Sequence, residues 1–142
     1  MLLVLITLSL IITACVERLD GTGNTGSTAQ STPKPTALQK LRITNQSTFS
    51  IQNLVVRFPE DQVSFGEVLP GETTDYQVIP HGVYQYAAYD FEVEGETYQQ
   101  PVIDWVGEVP MNGKDYTYII DVDPSKWETK GQAIELVQSI ED

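Results

Sequence analysis

From Leu38 onward, short runs of branched and aromatic residues alternate with clusters of Gly, Pro, Asn and Asp. β-Branched and aromatic side chains suit a pleated, half-buried surface, and the punctuating residues are those that turn the chain. Leu41-Arg42-Ile43-Thr44 is the first run and Asn45-Gln46-Ser47 ends it. Leu54-Val55-Val56-Arg57-Phe58 is the second, stopped by Pro59, and Val63-Ser64-Phe65 follows. Leu69-Pro70-Gly71-Glu72 places proline and glycine where a type II bend wants them. Beyond it Thr74, Tyr76 and Val78 alternate with Thr73, Asp75 and Gln77, predicting a strand with one buried face.

The longest run extends from Val83 to Val93. Tyr84, Tyr86 and Ala88 fall on one face of its first half, with Val83, Ala87 and Tyr89 on the other, whereas Phe91 and Val93 oppose Asp90, Glu92 and Glu94. Such a strand lies centrally at one end and emerges into water at the other. Glu94-Gly95-Glu96 returns the chain into a strand over Tyr98 to Ile103. Asn112-Gly113, a hairpin signal, leads into Tyr116, Tyr118, Ile120 and Val122. Gln132 to Ile140 fits both alternation and a helical stripe, and its β-branched content after Gly131 favours a strand. Seven or eight strands with no dependable helix predict an all-β, two-sheet sandwich, immunoglobulin-like or transthyretin-like, over residues 38–142.

Charge and cysteine content narrow the chemistry. Twenty acidic residues against eight basic ones leave a net charge of −12, opposite to what a phosphate backbone needs, so no nucleic-acid partner is expected. One cysteine excludes an intrachain disulfide, and one histidine excludes a Cys/His metal cluster. A Cys–His or Ser–His catalytic pair would rest on His81, in the turn Pro80-His81-Gly82. No glycine-rich phosphate loop follows a strand, and no two carboxylates stand out as a glycosidase pair. No cofactor, no metal and no enzymatic activity are expected.

The amino-terminal region reads differently. Leu2 to Ala14 are all apolar or small hydroxyl residues, too few to span a bilayer but matching the core of a secretory signal. Ile12-Thr13-Ala14-Cys15 closes that stretch. This resembles the lipobox of bacterial lipoproteins: an aliphatic residue, two small residues and an invariant cysteine. The resemblance implies a signal peptide over 1–14, cleavage before Cys15, a diacylglycerol on its sulfur and a fatty acyl chain such as palmitate on its amine. The chain departs from that pattern in having no Lys or Arg ahead of the apolar run. Val16 follows the cysteine instead of the aspartate that resembles an inner-membrane retention signal. Residues 15–37 then form the acylated cysteine and a tether. Gly21 to Ala37 hold no aromatic and no aliphatic larger than alanine, a composition that behaves as a flexible coil reaching on the order of 25 Å.

Within the sandwich, Gly82-Val83-Tyr84 and the Leu69–Thr74 bend are similar to those of bacterial surface sandwich domains. The domain also resembles uncharacterised bacterial envelope lipoproteins carrying a segment like Gln100-Pro101-Val102-Ile103-Asp104-Trp105-Val106-Gly107-Glu108. That resemblance implies fold and anchoring, not chemistry. Asp104 and Trp105 pair an indole with a carboxylate on a loop, suited either to stacking a sugar ring or peptide or to plugging the sandwich end. Tyr84, Tyr86 and Tyr89 read either as an exposed platform or as cross-strand packing. Asp90, Glu92, Glu94 and Glu96 read as a solvated carboxylate row, because calcium needs oxygens converging from several segments. The expectation is a protein lipid-anchored on the extracytoplasmic side of a bacterial membrane, in the cell envelope. Its sandwich would be a structural or binding module for protein or glycan. The alternative is an accessory subunit docking on an envelope enzyme or transporter.

Overall fold

The structure is a computed structural model and describes residues 38–102 and 104–142. The expected signal peptide, Cys15 and the tether lie outside the described residues. Eight strands and one short helix follow in order: β1 (Gln39–Asn45), β2 (Ile51–Arg57), β3 (Gln62–Val68), β4 (Gln77–Ile79), β5 (Ala88–Val93), β6 (Glu96–Gln100), β7 (Asp115–Val122), α1 (Ser125–Lys130) and β8 (Ile134–Glu141). They form two four-stranded sheets, ordered β4-β1-β7-β8 and β3-β2-β5-β6. The pattern of alternating runs is thus realised as a two-sheet β-sandwich. All pairings are antiparallel except β1 with β7, which run parallel from Lys40↔Asp115 to Asn45↔Ile120.

Alternation sets the core. β1 buries Gln39, Leu41, Ile43 and Asn45, β5 buries Tyr89, Phe91 and Val93, and β7 buries Tyr116, Tyr118, Ile120 and Val122. These side chains fill the space between the sheets, each large one contributing roughly 1.5–3 kcal/mol of transfer energy. β5 and β6 meet in a tight hairpin in which Glu94 (φ 53°) and Gly95 (φ 85°) both take the left-handed backbone that a type I′ turn needs. Three amides, Gln39 and Asn45 buried and Gln100 half-buried, close the ends. Gln39 donates through Nε2 to the Met111 and Gly113 carbonyls, both at 2.6 Å, and accepts from the Val83 N–H at 2.6 Å. Asn45 ties β1 to the end of β3 by donating to the Val68 carbonyl at 3.0 Å. Gln100 donates to the Ile134 carbonyl at 2.8 Å and accepts from the Ala133 and Ile134 N–H groups at 3.1 Å, joining β6 to the start of β8.

Several local expectations are corrected. Asn112-Gly113 makes no hairpin: β6 and β7 lie in different sheets, and β7 pairs with β1 and β8. Gly113 leaves space there, since a Cβ would collide with the hydroxyl of the buried Tyr116 and displace the Glu141 side chain. The strand expected through Thr74–Val78 shrinks to Gln77–Ile79, with Val78 47% exposed and Ile79 turned inward. Val83 to Ala87 is not strand, although Val83, Tyr84 and Ala87 are buried. The expected strand within Gln132 to Ile140 forms as β8 (Ile134–Glu141), and a register shift opposite Ile119/Ile120 interrupts its alternation. The helix missed by sequence, α1, starts where Asp123 Oδ1 accepts the Ser125 N–H at 3.1 Å and ends at Gly131 in the left-handed conformation. It lays Trp127 edge-on against Tyr98, which stacks on Phe91.

Candidate binding site at the Trp105 loop

The chain crosses from one sheet to the other between β6 and β7, and Trp105 sits midway along that crossing. A local hydrogen-bond set shapes the loop. Asp104 Oδ1 accepts the Val106 N–H at 2.8 Å, the Glu108 N–H donates to the Trp105 carbonyl at 3.1 Å, and Gly107 supplies the left-handed residue (φ 82°) of the turn. Its far end is pinned where the Met111 N–H donates to the Val83 carbonyl at 2.8 Å, beside the Gln39 amide.

Aromatic contacts fix the indole. Tyr86 stacks on Trp105 at 5.5 Å with planes 27° apart, and Tyr84 meets it edge-on at 5.5 Å and 74°. Tyr84 stacks in turn on Phe58 at 5.8 Å, and its carbonyl accepts a hydrogen bond from the Tyr118 hydroxyl in the core. A continuous aromatic chain therefore runs from the rim into the core, each pair adding roughly 0.5–1.5 kcal/mol beyond burial. The neighbouring Glu108 carboxylate, with some desolvation and the negative field of Asp104, pushes the Tyr86 pKa up to about 12. Burial raises Tyr84, helped by the charges of Glu60 and Asp61. Both phenols are hydrogen-bond groups rather than proton carriers near neutrality.

Concave surfaces flank the loop on both sides. One, of about 500 Å³, lies on the outer face of the second sheet, where Trp105 faces Arg57, Ala88, Asp90 and Gln99. The other, of about 410 Å³, opens between β6 and β8, with Tyr86 and Asp104 at one end and Ile134 and Leu136 at the other. Of the expected site residues, Trp105, Tyr84 and Tyr86 come together in contact, while Asp104 caps the turn and lines the second cleft. A platform of three tyrosines does not form: Tyr84 and Tyr89 are 5% and 2% exposed, leaving only Tyr86 half-buried at the rim.

Sequence reasoning missed Arg57 and Gln99. Arg57 lies opposite Ala88 and Gln99 opposite Asp90, so all four share the outer face across β2, β5 and β6. The Arg57 guanidinium contacts the Asp90 carboxylate directly, which removes Asp90 from the expected carboxylate row. Only the alternation of β2 pointed outward at Arg57; its partner depends on a register that the sequence does not state. Among the described residues no group of three or more His, Cys, Asp or Glu gathers to hold a metal ion. His81 is exposed, with Nδ1 2.9 Å from Asp61 Oδ1 and its N–H donating to Asp61 Oδ2 at 2.8 Å, so the pair pins a turn.

This is a β-sandwich domain with an aromatic loop at one end. No family model and no curated protein matches the chain. A solved structure, the NMR structure of a protein from Eubacterium rectale, is similar to it with a TM-score of 0.50 and 16% identity, covering 75% of this chain and 95% of that one. That likeness is one of fold alone.

Proposed function

We propose that the chain is a lipid-anchored protein of the bacterial cell envelope whose sandwich is a non-catalytic binding module for a protein or glycan. The observation that carries the binding role is the fixed Trp105 indole beside the groove of about 500 Å³, a volume within the range of small-molecule and saccharide sites. A loop tied by Asp104, stacked by Tyr86 and pinned by Gln39 meets a ligand with little ordering left to do. Support for the anchor is Ile12-Thr13-Ala14-Cys15 behind an apolar run, with Cys15 as the lipidation site and the membrane as its partner on the extracytoplasmic side.

Two measurements test this reading. Mass spectrometry of the membrane-extracted protein is expected to show an acylated amino-terminal cysteine; an unmodified Cys15 overturns the anchor. Capture from native membranes with the full chain is expected to retain a glycan or protein that Trp105→Ala loses; equal retention by both overturns the site. One observation favours docking on an envelope enzyme or transporter as a second reading. Among the described residues β8 pairs with no strand but β7, and past Ile134, whose main chain Gln100 occupies, its other edge carries no strand beside a 48% exposed Val137, which suits strand addition.

A further inference from the structure

We infer that the groove beside Trp105 binds a neutral saccharide, gripping it by side chains across three strands. This rests on the binding-module reading above and names its ligand class. The groove's floor is Ala88, a small residue on β5 that leaves a depression between Arg57 on β2 and the Trp105 loop. Around it stand an indole and three hydrogen-bonding groups, Arg57, Asp90 and Gln99. Arg57 offers only donors and Gln99 offers both donors and an acceptor, while the Asp90 carboxylate holds the guanidinium in place. Vicinal hydroxyls each need a donor and an acceptor, and the C–H face of a pyranose needs a flat apolar surface. The guanidinium, with its side chain 42% exposed, supplies the donors, the exposed Gln99 amide supplies an acceptor, and the indole supplies the apolar face.

Charge selects against ionic ligands. Among the described residues, the charged groups lining the groove are Arg57 and Asp90 alone, and they neutralise each other by direct contact. An anionic polymer meets a chain of net charge −12 with no uncompensated cation at the site. A cationic ligand finds no free carboxylate in the groove and is drawn to the acidic surface elsewhere. Backbone pairing selects against an extended peptide. In the groove floor Asp90 pairs with Gln99 and Tyr89 with Gln100, so β5 and β6 spend their facing main-chain groups on each other. A peptide lying on this face would gain none of the main-chain hydrogen bonds that give strand addition its affinity.

The test is calorimetric titration of the detergent-solubilised full chain with soluble neutral polysaccharides: a β-glucan, an α-glucan, a mannan and a xylan. Binding of at least one is expected, weakened about tenfold by Arg57→Gln and measurably by Gln99→Ala, an exposed site that leaves the fold intact. Trp105→Ala is expected to abolish it, and the two polar variants keep the test valid if that variant unfolds. Binding of a proline-rich peptide, with none of the polysaccharides, overturns the saccharide inference and leaves the binding module standing. Saccharide binding indifferent to Arg57 and Gln99 overturns the groove. Binding of neither probe class overturns the inference, and if the membrane capture also retains nothing, the module reading falls with it.

Discussion

Replacing Asn45 with alanine removes the most connected buried polar side chain in the sandwich. Asn45 ends β1 and has no exposed surface. Its Nδ2 donates to the carbonyls of Phe49 at 2.8 Å and Val68 at 3.0 Å, and its Oδ1 accepts from the Ser47 N–H at 3.0 Å and the Ser47 hydroxyl at 2.7 Å. One amide thus shapes the turn leaving the first sheet and ties it to the end of β3 in the second. At roughly 1 kcal/mol net per bond, Asn45→Ala costs about 4 kcal/mol, and the orphaned Val68 carbonyl gives that figure little room to fall. For a domain holding about 5–15 kcal/mol, this is a large share and a drop of roughly 15–30 °C in Tm. Urea unfolding of the full chain followed by circular dichroism reads it, with the m-value expected to stay constant because the same surface is exposed. Asn45→Asp separates hydrogen bonding from shape. It keeps the acceptor for Ser47, turns a carboxylate toward two carbonyls, and raises that carboxyl's folded pKa. Its destabilisation therefore grows as pH rises through the unfolded value of about 3.9 and eases below it. A loss under about 1 kcal/mol for Asn45→Ala, with a native spectrum, refutes the argument that these bonds join the sheets.

Gly82→Ala is expected to cost roughly 3 kcal/mol by the same unfolding assay, from overpacking and backbone strain together. Gly82 has φ 112°, and an added Cβ would lie 2.5 Å from the Pro110 Cβ. Asp142 gives a pH dependence. Partial burial opposes its ionisation, but hydrogen bonds from Thr117 and Tyr76 and the Arg42 charge outweigh this and hold its carboxyl below the usual range. Its contribution is therefore complete above the unfolded pKa of about 3.9 and is lost as pH falls toward the folded value; Asp142→Asn is expected to remove that part of the acid slope, and an unchanged slope refutes it. Trp105→Ala is expected to lower stability by about 2 kcal/mol, less than the 3–5 of a fully buried aromatic because the indole is half-buried and two ring contacts are lost. A change within about 0.5 kcal/mol would mean the Tyr84 and Tyr86 contacts hold nothing, since that is the range of ordinary surface substitutions.

Strand content was legible because burial imposes period two wherever one face meets the core. Leu41 and Ile43, or Phe91 and Val93, announce their face without help from the rest of the chain. Pairing was not legible, for alternation says nothing about neighbours. The parallel β1–β7 contact joins segments from opposite ends of the domain, and Asn112-Gly113 resembles a local reversal while serving a steric need set by Tyr116 and Glu141. α1 escaped because it has six residues and no buried member, so no apolar stripe marks it; only Asp123 ahead and Gly131 behind carried a signal. The amides of Gln39, Asn45 and Gln100 read as ordinary polar residues in sequence, since what makes them structural is the main-chain carbonyls of loops and strand ends brought to them by the fold.

Trp105 shows why the site was half visible. Its composition, an indole beside Asp104 in a segment punctuated by proline and glycine, suits either a plug or a platform, and sequence alone presents the two as alternatives. The geometry gives the ring both tasks. Contact with Tyr86 and Tyr84 ties it to Phe58 and the core, while the same indole borders a groove whose other wall belongs to β2 and β6. An anchored ring suits binding better than a free one, because its rotamer freedom, about 0.5–1.5 kcal/mol per ordered side chain, is already spent in folding. Stability and binding should consequently fail together at Trp105 and separately at Gln99, where the side chain is exposed and packs on nothing in the core. That contrast distinguishes a groove built for a ligand from a gap left by packing: in a mere gap, Gln99→Ala changes neither property.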